Sequence, residues 1–504
     1  MSLRISGLAS GMDTESIIKD LMKAHRIPVD KMKQQRQLVQ WQQEAFRDIN
    51  AKLRDFRNNT LFTFNRQSTL SAKSATVFGN TSAVTAKALA GAQSGSLSIE
   101  VLERATAASN VSTGDIRAST AFDPSKPLSD EMANLNPAYS LANNTFAING
   151  TPITIEPGDS LNSVIEKINK TTNVTAFYDS VKGQVSLVSK QTGETNGADG
   201  TSPSILLEGA FLTDVLKLDG PGTPGTNAEV VINGIMTERT SNTFAVNGVQ
   251  VTLNAKSMGS VSTIEVDTDA DAIVNSIKGF VEKYNEINRV LTEALDSKRY
   301  REYQPLTEEQ KKEMSEKEIE LWEEKAKSGL LRGDSILESA YNQLRSATSA
   351  VVNNGFAVNS LAKIGIKTGS YAEKGQLHID ETKLRQAIED HPDAVLNLFT
   401  SKGNGDADIS DVGVAKRMYD KLETALKEIS TKAGTSVYSE VSGFNTNSTL
   451  SKLITDYNKQ IDRMNDRLLD VESRFYRQFS AMESAIQRMN TQSAYLLSQF
   501  GGGA

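Results

Sequence analysis

Hydrophobic residues recur every seven positions at both ends of this chain. Near the C-terminus Ile454, Ile461, Leu468, Phe475, Met482, Met489 and Leu496 fall on one line and all are apolar. Tyr457, Met464 and Val471 make a second line three residues on, which weakens to Gln478, Ala485 and Gln492. That a/d spacing is the sequence mark of helices that supercoil left-handedly. Beyond Val471 the apolar weight moves to Phe479, Ile486 and Phe500, so the stripe changes face. No Pro or Gly interrupts the stretch from Leu450 to Phe500, which predicts one helix of roughly 75 Å. Near the N-terminus Met32, Val39, Phe46 and Leu53 repeat the spacing, with Gln35 and Gln42 on the companion line. Polar seam residues lower stability but restrict register and partner. Two apolar seams at opposite ends of one chain most simply pair, leaving the middle as an insertion.

Between these ends the pattern changes. From Ser68 to about Asp267 the chain is rich in Ser, Thr, Asn and Gly, with short alternating runs such as Leu97–Val101 and Val185–Val188. These read as antiparallel strands broken by turns. Two segments look alike: TFAINGTPITI at 145–155 and TFAVNGVQVTL at 243–253 each read strand, Asn-Gly turn, strand. Gly220 to Thr226, GPGTPGT, reads as a linker. One helix interrupts, headed by Ser160. Helical spacing returns after Asp267, with Ile273, Ile277, Phe280, Tyr284, Ile287 and Leu291 on one core-facing stripe. A charged helix is predicted over Glu308–Lys327 with Trp322 as a core or lip residue, then helices over Ser335–Val352 and Thr382–Phe399 with a small hairpin near Ile364–Ile379. At the start, Asp13 or Thr14 caps a helix, and Pro28 is placed at the first turn of a new one.

The fold class this predicts is α+β multidomain. Residues 1–42 and 447–504 form a terminal coiled-coil region, expected to be disordered in the free protein, and 43–68 with 268–446 a helical bundle. Residues 69–110 with 223–267 form an inner β domain, and 111–222 an outer one. The terminal seam is the candidate partner-binding surface: Val39, Phe46, Leu53, Ile454, Ile461, Leu468, Phe475, Met482, Met489 and Leu496.

Charge and composition narrow the function classes. The 504 residues carry a net charge of −7 with Lys and Arg spread along the chain, which argues against a nucleic-acid track or an anionic membrane surface. No apolar run reaches the roughly 18 residues of a membrane span. The opening MSLRISGLASGMD has no continuous apolar core, so a cleaved secretory signal is not expected there. Zero cysteines excludes disulfides and thiolate metal sites. His25, His378 and His391 are too scattered for a metal site, and no HExxH, GxSxG or Walker loop occurs. Asp406, Asp408 and Asp411 look like a calcium loop, but the Gly and Glu positions of an EF-hand are missing, and a solvated acidic loop is the plainer reading. No catalytic, cofactor or metal residue is expected.

In order along the chain, Ile5–Asp13 (ISGLASGMD) with Leu21-Met22 and Pro28, Phe146–Gly150 (FAING) through Asp159-Ser-Leu161 and Ile168-Asn169, Pro305-Leu-Thr307, Leu321–Leu330, Leu361–Ile366 and Gly375–Asp380 (GQLHID) followed by Lys383-Leu384 resemble the flagellar filament capping family, also called hook-associated protein 2. The resemblance spans nearly the whole chain, except about 105–145. The segment from Phe146 is similar to the hook-type insertion motif of flagellar filament proteins. This resemblance implies a non-enzymatic, secreted, extracellular protein that sits as a closed homo-oligomeric ring at the flagellum tip. It implies that exported flagellin is retained and folds and inserts beneath that ring, with the terminal helices on the filament and the β domains as a plate. The partners it implies are flagellin, the hook–filament junction proteins and an export chaperone, with no nucleic acid and no membrane. Two alternatives stand beside it: a surface adhesin using the central β domains, and a hook–filament junction protein.

Overall fold

A computed structural model describes residues 13–136, 139–142, 144–194, 205–405, 409–440 and 443–500. The chain is α+β and divides into two compact units, Met1–Ser71 with Ala270–Ala504 and Ala72–Asp269.

The first unit is helical. Its opening helix α1 spans Thr14–Asp55, capped by the Asp13 carboxylate accepting from the Ser16 N–H at 3.0 Å. Pro28 lies inside α1 and does not begin a new helix, and α1 crosses residue 42 without a break. A proline withholds one helical hydrogen bond, from the carbonyl four residues back. Here that residue is Ala24, which is exposed, so water can satisfy the carbonyl while Val29 stays buried on the opposite face. A π-helical turn, Phe56–Leu61, extends α1 into the bundle. There Phe64 stacks on Phe280 at 4.8 Å and meets Phe399 edge-on at 5.1 Å, so aromatic rings from three distant segments close one core.

The second helix, α2 (Ala270–Asp296), buries the whole stripe from Ile273 to Leu291 that its spacing predicts. The expected charged helix is two, α3 (Glu308–Lys312) and α4 (Glu316–Lys327), because Thr307 and Ser315 each start a capping box. After α5 (Ser335–Ser349) comes the small hairpin of Ile366–Thr368 with Leu377–Ile379. The predicted helix over Thr382–Phe399 is also divided, into α6 (Glu381–Asp390) and α7 (Pro392–Thr400). Pro392 has no N–H to continue α6 but suits the first turn of α7. Two long helices finish the unit, α8 (Val414–Ala433) and α9 (Thr449–Phe500).

The second unit is β-rich. Its five-stranded antiparallel sheet runs Lys73–Gly79, Ser262–Thr268, Gly95–Glu103, Ala228–Ile232, Ile235–Arg239, so strands far apart in sequence are neighbours. A three-stranded sheet of Thr243–Val246, Val249–Leu253 and Val84–Ala88 shares its core, which includes Val84, Ile99, Val230, Val251 and Ile264. The remaining strands form two further three-stranded sheets around the helix Leu161–Thr171, with Phe146, Leu161, Ile168, Leu187 and Phe211 at the centre. Both look-alike segments are hairpins, paired Thr145 to Thr154 and Thr243 to Thr252. Their turns hold Asn149 and Asn247 at φ 50° and 52°, each followed by a glycine also at positive φ. That backbone is why Asn-Gly is found there. The GPGTPGT stretch is itself bonded, with Thr223 and Thr226 bridging to Ser109 and Thr106.

A paired terminal arm as the candidate assembly surface

In the first unit the chain's two ends meet. α1 packs against α9 with opposite polarity. Gln43 Nε2 donates to Ser451 Oγ at 2.8 Å, Arg36 Nη1 donates to Asn458 Oδ1 at 3.1 Å, and the His25 ring lies 5.8 Å from that of Phe475. The paired numbers sum to 494, 494 and 500, which fixes an antiparallel register. Thr14 is then level with residues 480 to 486. About fourteen further residues of α9, roughly 21 Å, run on past the start of α1.

The ten seam residues divide by place. Phe46 and Leu53 are fully buried at the bundle end of α1, and Val39 is half-buried. On α9, Ile461 is buried at 4 % exposure, and Ile454, Leu468, Phe475 and Met482 are half-buried. Met489 and Leu496 are 67 % and 48 % exposed, in the part of α9 that passes beyond α1. Tyr457, Met464 and Val471 are half-buried beside the first line, and past Val471 the half-buried positions become Phe479 and Ile486. The seam therefore changes face where the heptad pattern loosens.

The seam's polar residues differ from those the heptad reading singled out. Gln35 is exposed, and Gln42 Nε2 turns aside to the Leu330 carbonyl at 3.3 Å. The residues that cross between helices are Arg36 and Gln43, one position further on. The available signal was a line of polar residues seven apart, Arg36, Gln43, Asn50 and Arg57, which is legible once the helix partner is known.

The root of the arm is held by charge and aromatic contacts. Arg57 is buried and donates from Nη2 to the Glu423 carboxylate at 2.8 Å, with its guanidinium 4.3 Å from the Tyr419 ring centre. The Lys427 ammonium and the Arg57 guanidinium hold the Glu423 carboxyl down to about 2. On the side of α3 and α4, Gln34 Nε2 donates to the Pro305 carbonyl at 2.7 Å, and the Lys327 ammonium sits 5.0 Å from the centre of the Trp41 ring. Trp322 is half-buried, donating from Nε1 to the Gln304 carbonyl at 2.8 Å against Tyr303. Between α1, α9 and the Pro305–Thr307 segment leading into α3 lies a cavity of about 440 Å³ whose walls include Val29, Asp30, Leu306 and Leu468. Burial, with Glu309 nearby, pushes the Asp30 carboxyl up.

Among the described residues no group of three or more His, Cys, Asp or Glu could hold a metal ion. Asp406 and Asp408 lie outside the described residues, and Asp411 Oδ2 accepts from the Asn404 N–H at 2.8 Å. No helix among the described residues is long and apolar enough to cross a membrane. What the arm offers is a long two-helix surface whose far end carries exposed apolar side chains.

Known proteins give this architecture a family. The sequence profile of the flagellar hook-associated protein 2 C-terminus matches residues 225–491, that of its N-terminus residues 10–108, and the flagellin hook IN motif residues 142–191. A flagellar hook-associated protein 2 from Halalkalibacterium halodurans is 33% identical over 535 residues, covering 98% of this chain and 99% of that protein. One from Thermotoga maritima is 25% identical over 626 residues, covering 98% and 95%. The crystal structure of the flagellar cap protein FliD D1-D2-D3 domains from Escherichia coli aligns over 82% of this chain and 99% of its own, at 19% identity and a TM-score of 0.49. A profile match over half the chain and a full-length relative at one-third identity place it: the chain belongs to the flagellar hook-associated protein 2 family, the flagellar cap proteins.

Proposed function

We propose that this chain caps the distal tip of the flagellar filament as a closed ring, retains exported flagellin, and promotes its folding and insertion without catalysing a reaction. The observation that carries the reading, beside family membership, is the α9 tail with Met489 and Leu496 exposed at the end of the arm. An apolar stripe held away from the bundle is a surface for an incoming apolar helix. Flagellin and the hook–filament junction proteins are the partners proposed for it, with an export chaperone covering it before assembly. Ring closure requires head-to-tail contacts between copies. Secretion and residence at the tip complete the proposal. The surface-adhesin and junction-protein readings find no support among the relatives.

The test is genetic. Cells lacking the gene should shed monomeric flagellin and build no filament, and the wild-type gene should restore filaments. Filaments of normal length without the protein contradict the reading, and an adhesion defect alone favours the adhesin.

A further inference from the structure

Arg47, Asn50, Ala51 and Arg54 share one face of α1, at the spacing that makes helix residues neighbours. That face meets the connection from α8 to α9. Between the two lies a cavity of about 210 Å³ whose other walls include Thr435, Glu440 and Phe444. Ala51 brings only a methyl group to it, which leaves the space open.

Each wall contributes a buried polar atom with no partner. Asn50 is 2 % exposed and its Nδ2 meets no acceptor, while Thr435 is 7 % exposed and its Oγ1 bonds to nothing. A buried polar group left unpaired is costly, and two in one small cavity call for a physical reason. The charges at the mouth add a second asymmetry. Arg54 is already engaged, donating from Nη1 to the Ser439 carbonyl at 2.7 Å and from Nη2 to the Glu440 carboxylate at 3.2 Å. Arg47 is exposed, its guanidinium lies 5.2 Å from the centre of the Phe444 ring, and among the described residues it has no ion pair. The cavity therefore holds an unused amide donor, an unused hydroxyl and an uncompensated positive charge.

Water can fill such a space, but it leaves the charge of Arg47 uncompensated. An oxyanion accepts several hydrogen bonds at once, and those from a charged donor are the stronger kind. We propose that this cavity binds a small oxyanion, held by the buried Asn50 amide and Thr435 hydroxyl and closed over by the Arg47 guanidinium. Free phosphate and the carboxylate of an acidic side chain share that chemistry. Bound there, the anion joins α1 to the segment from which α9 departs, and so steadies the root of the arm. The site stands apart from the capping proposal, which is scored separately by filament growth.

Equilibrium dialysis of the full-length protein against radiolabelled inorganic phosphate, in chloride at fixed ionic strength, should find a saturable site with a Kd on the order of 1 mM or tighter. Arg47→Gln and Thr435→Val should each weaken it roughly tenfold with the circular dichroism unchanged. The Thr435 hydroxyl bonds to no other group, so its loss should spare the fold. If Thr435→Val nevertheless fails to fold, Arg47→Gln, at an exposed position, decides alone. Displacement of the label by excess acetate extends the ligand class to carboxylates, and resistance to acetate restricts it to phosphate. No saturable binding to the parent overturns the proposal. So does binding that either folded variant keeps in full, which marks phosphate held elsewhere on the surface.

Discussion

The side chain of Asn285 pairs with the backbone of Leu377 as a neighbouring strand would. Its Nδ2 donates to the Leu377 carbonyl at 2.9 Å and its Oδ1 accepts from the Leu377 N–H at 2.8 Å. The arrangement recurs at Asn169 with Ala176, at 3.1 and 2.6 Å, and at Asn242 with Ala105, at 2.8 and 2.9 Å. An unpaired strand edge is a template for other chains. At Leu377 and Ala176, which lie on strands, the amide satisfies one residue's donor and acceptor together and closes the edge at that point, while Ala105 lies between two strands. For a protein proposed to meet partly folded subunits, closed edges are a fitting trait.

Asn169→Asp tests this. A carboxylate can still accept from the Ala176 N–H but cannot donate to its carbonyl, and two acceptors then face each other. A loss of about 1–3 kcal/mol in the β-rich unit is expected, read as a lower unfolding midpoint in urea. An unchanged midpoint would show that water replaces the amide at no cost.

The Arg57–Glu423 pair predicts acid sensitivity at the arm's root. Glu423 has its carboxyl lowered from 4.5 to about 2 in the folded chain, by Lys427 first and then Arg57. A depressed folded value means the stabilisation is fully present above the unfolded value near 4.5 and is lost as pH falls toward 2. With the Glu423 side chain 27% exposed, the contribution is on the order of 1–2 kcal/mol after solvent screening. Thermal unfolding of Glu423→Gln between pH 5 and 2 should therefore follow a flatter curve than the parent, whatever its value at neutral pH. Parallel curves would remove Glu423 from the account.

Much of this was legible in the sequence, and the reasons for the gaps are local. The stripe from Ile273 to Leu291 is readable because a long helix buried on one face repeats its signal many times. The Asn-Gly hairpins are readable because positive φ restricts composition so strongly. Gln43 was missed because a seam pattern ranks positions by hydrophobicity, and a buried amide stands out only when the ends of α8 and α9 are seen beside it. Pro28 was misjudged because the pattern does not say which face of α1 is exposed. The pairing of Lys73–Gly79 with Ser262–Thr268 joins residues nearly two hundred positions apart, and no local signal reports such a pairing.

Order in the isolated protein is a separate expectation. Beyond the level of Gln43 and Ser451 the arm loses the support of α8, beyond Val29 and Leu468 it also leaves the Pro305 segment behind, and the thin two-helix part that remains buries little surface. Limited proteolysis should trim both termini to about residues 40 and 450 and leave a resistant middle. Resistance along the full length would show that the arm is stable without partners.

The central claim is that the exposed end of α9 is the contact through which the cap works, while its buried seam is ordinary structure. Met489→Asp with Leu496→Asp places two carboxylates on side chains already facing solvent, so the unfolding midpoint should not move. A carboxylate at Ile461 is different: it lies in the α1 contact, where an unpaired charge costs several kcal/mol and the lost side chain about 1.5–3 kcal/mol more. Ile461→Asp should therefore free α9 from α1. The decisive measurement is filament length and shed flagellin in cells whose only copy carries the Met489 and Leu496 changes. Short or absent filaments, from a protein exported in normal amount with an unchanged midpoint, are the result predicted. Filaments of full length would contradict the claim.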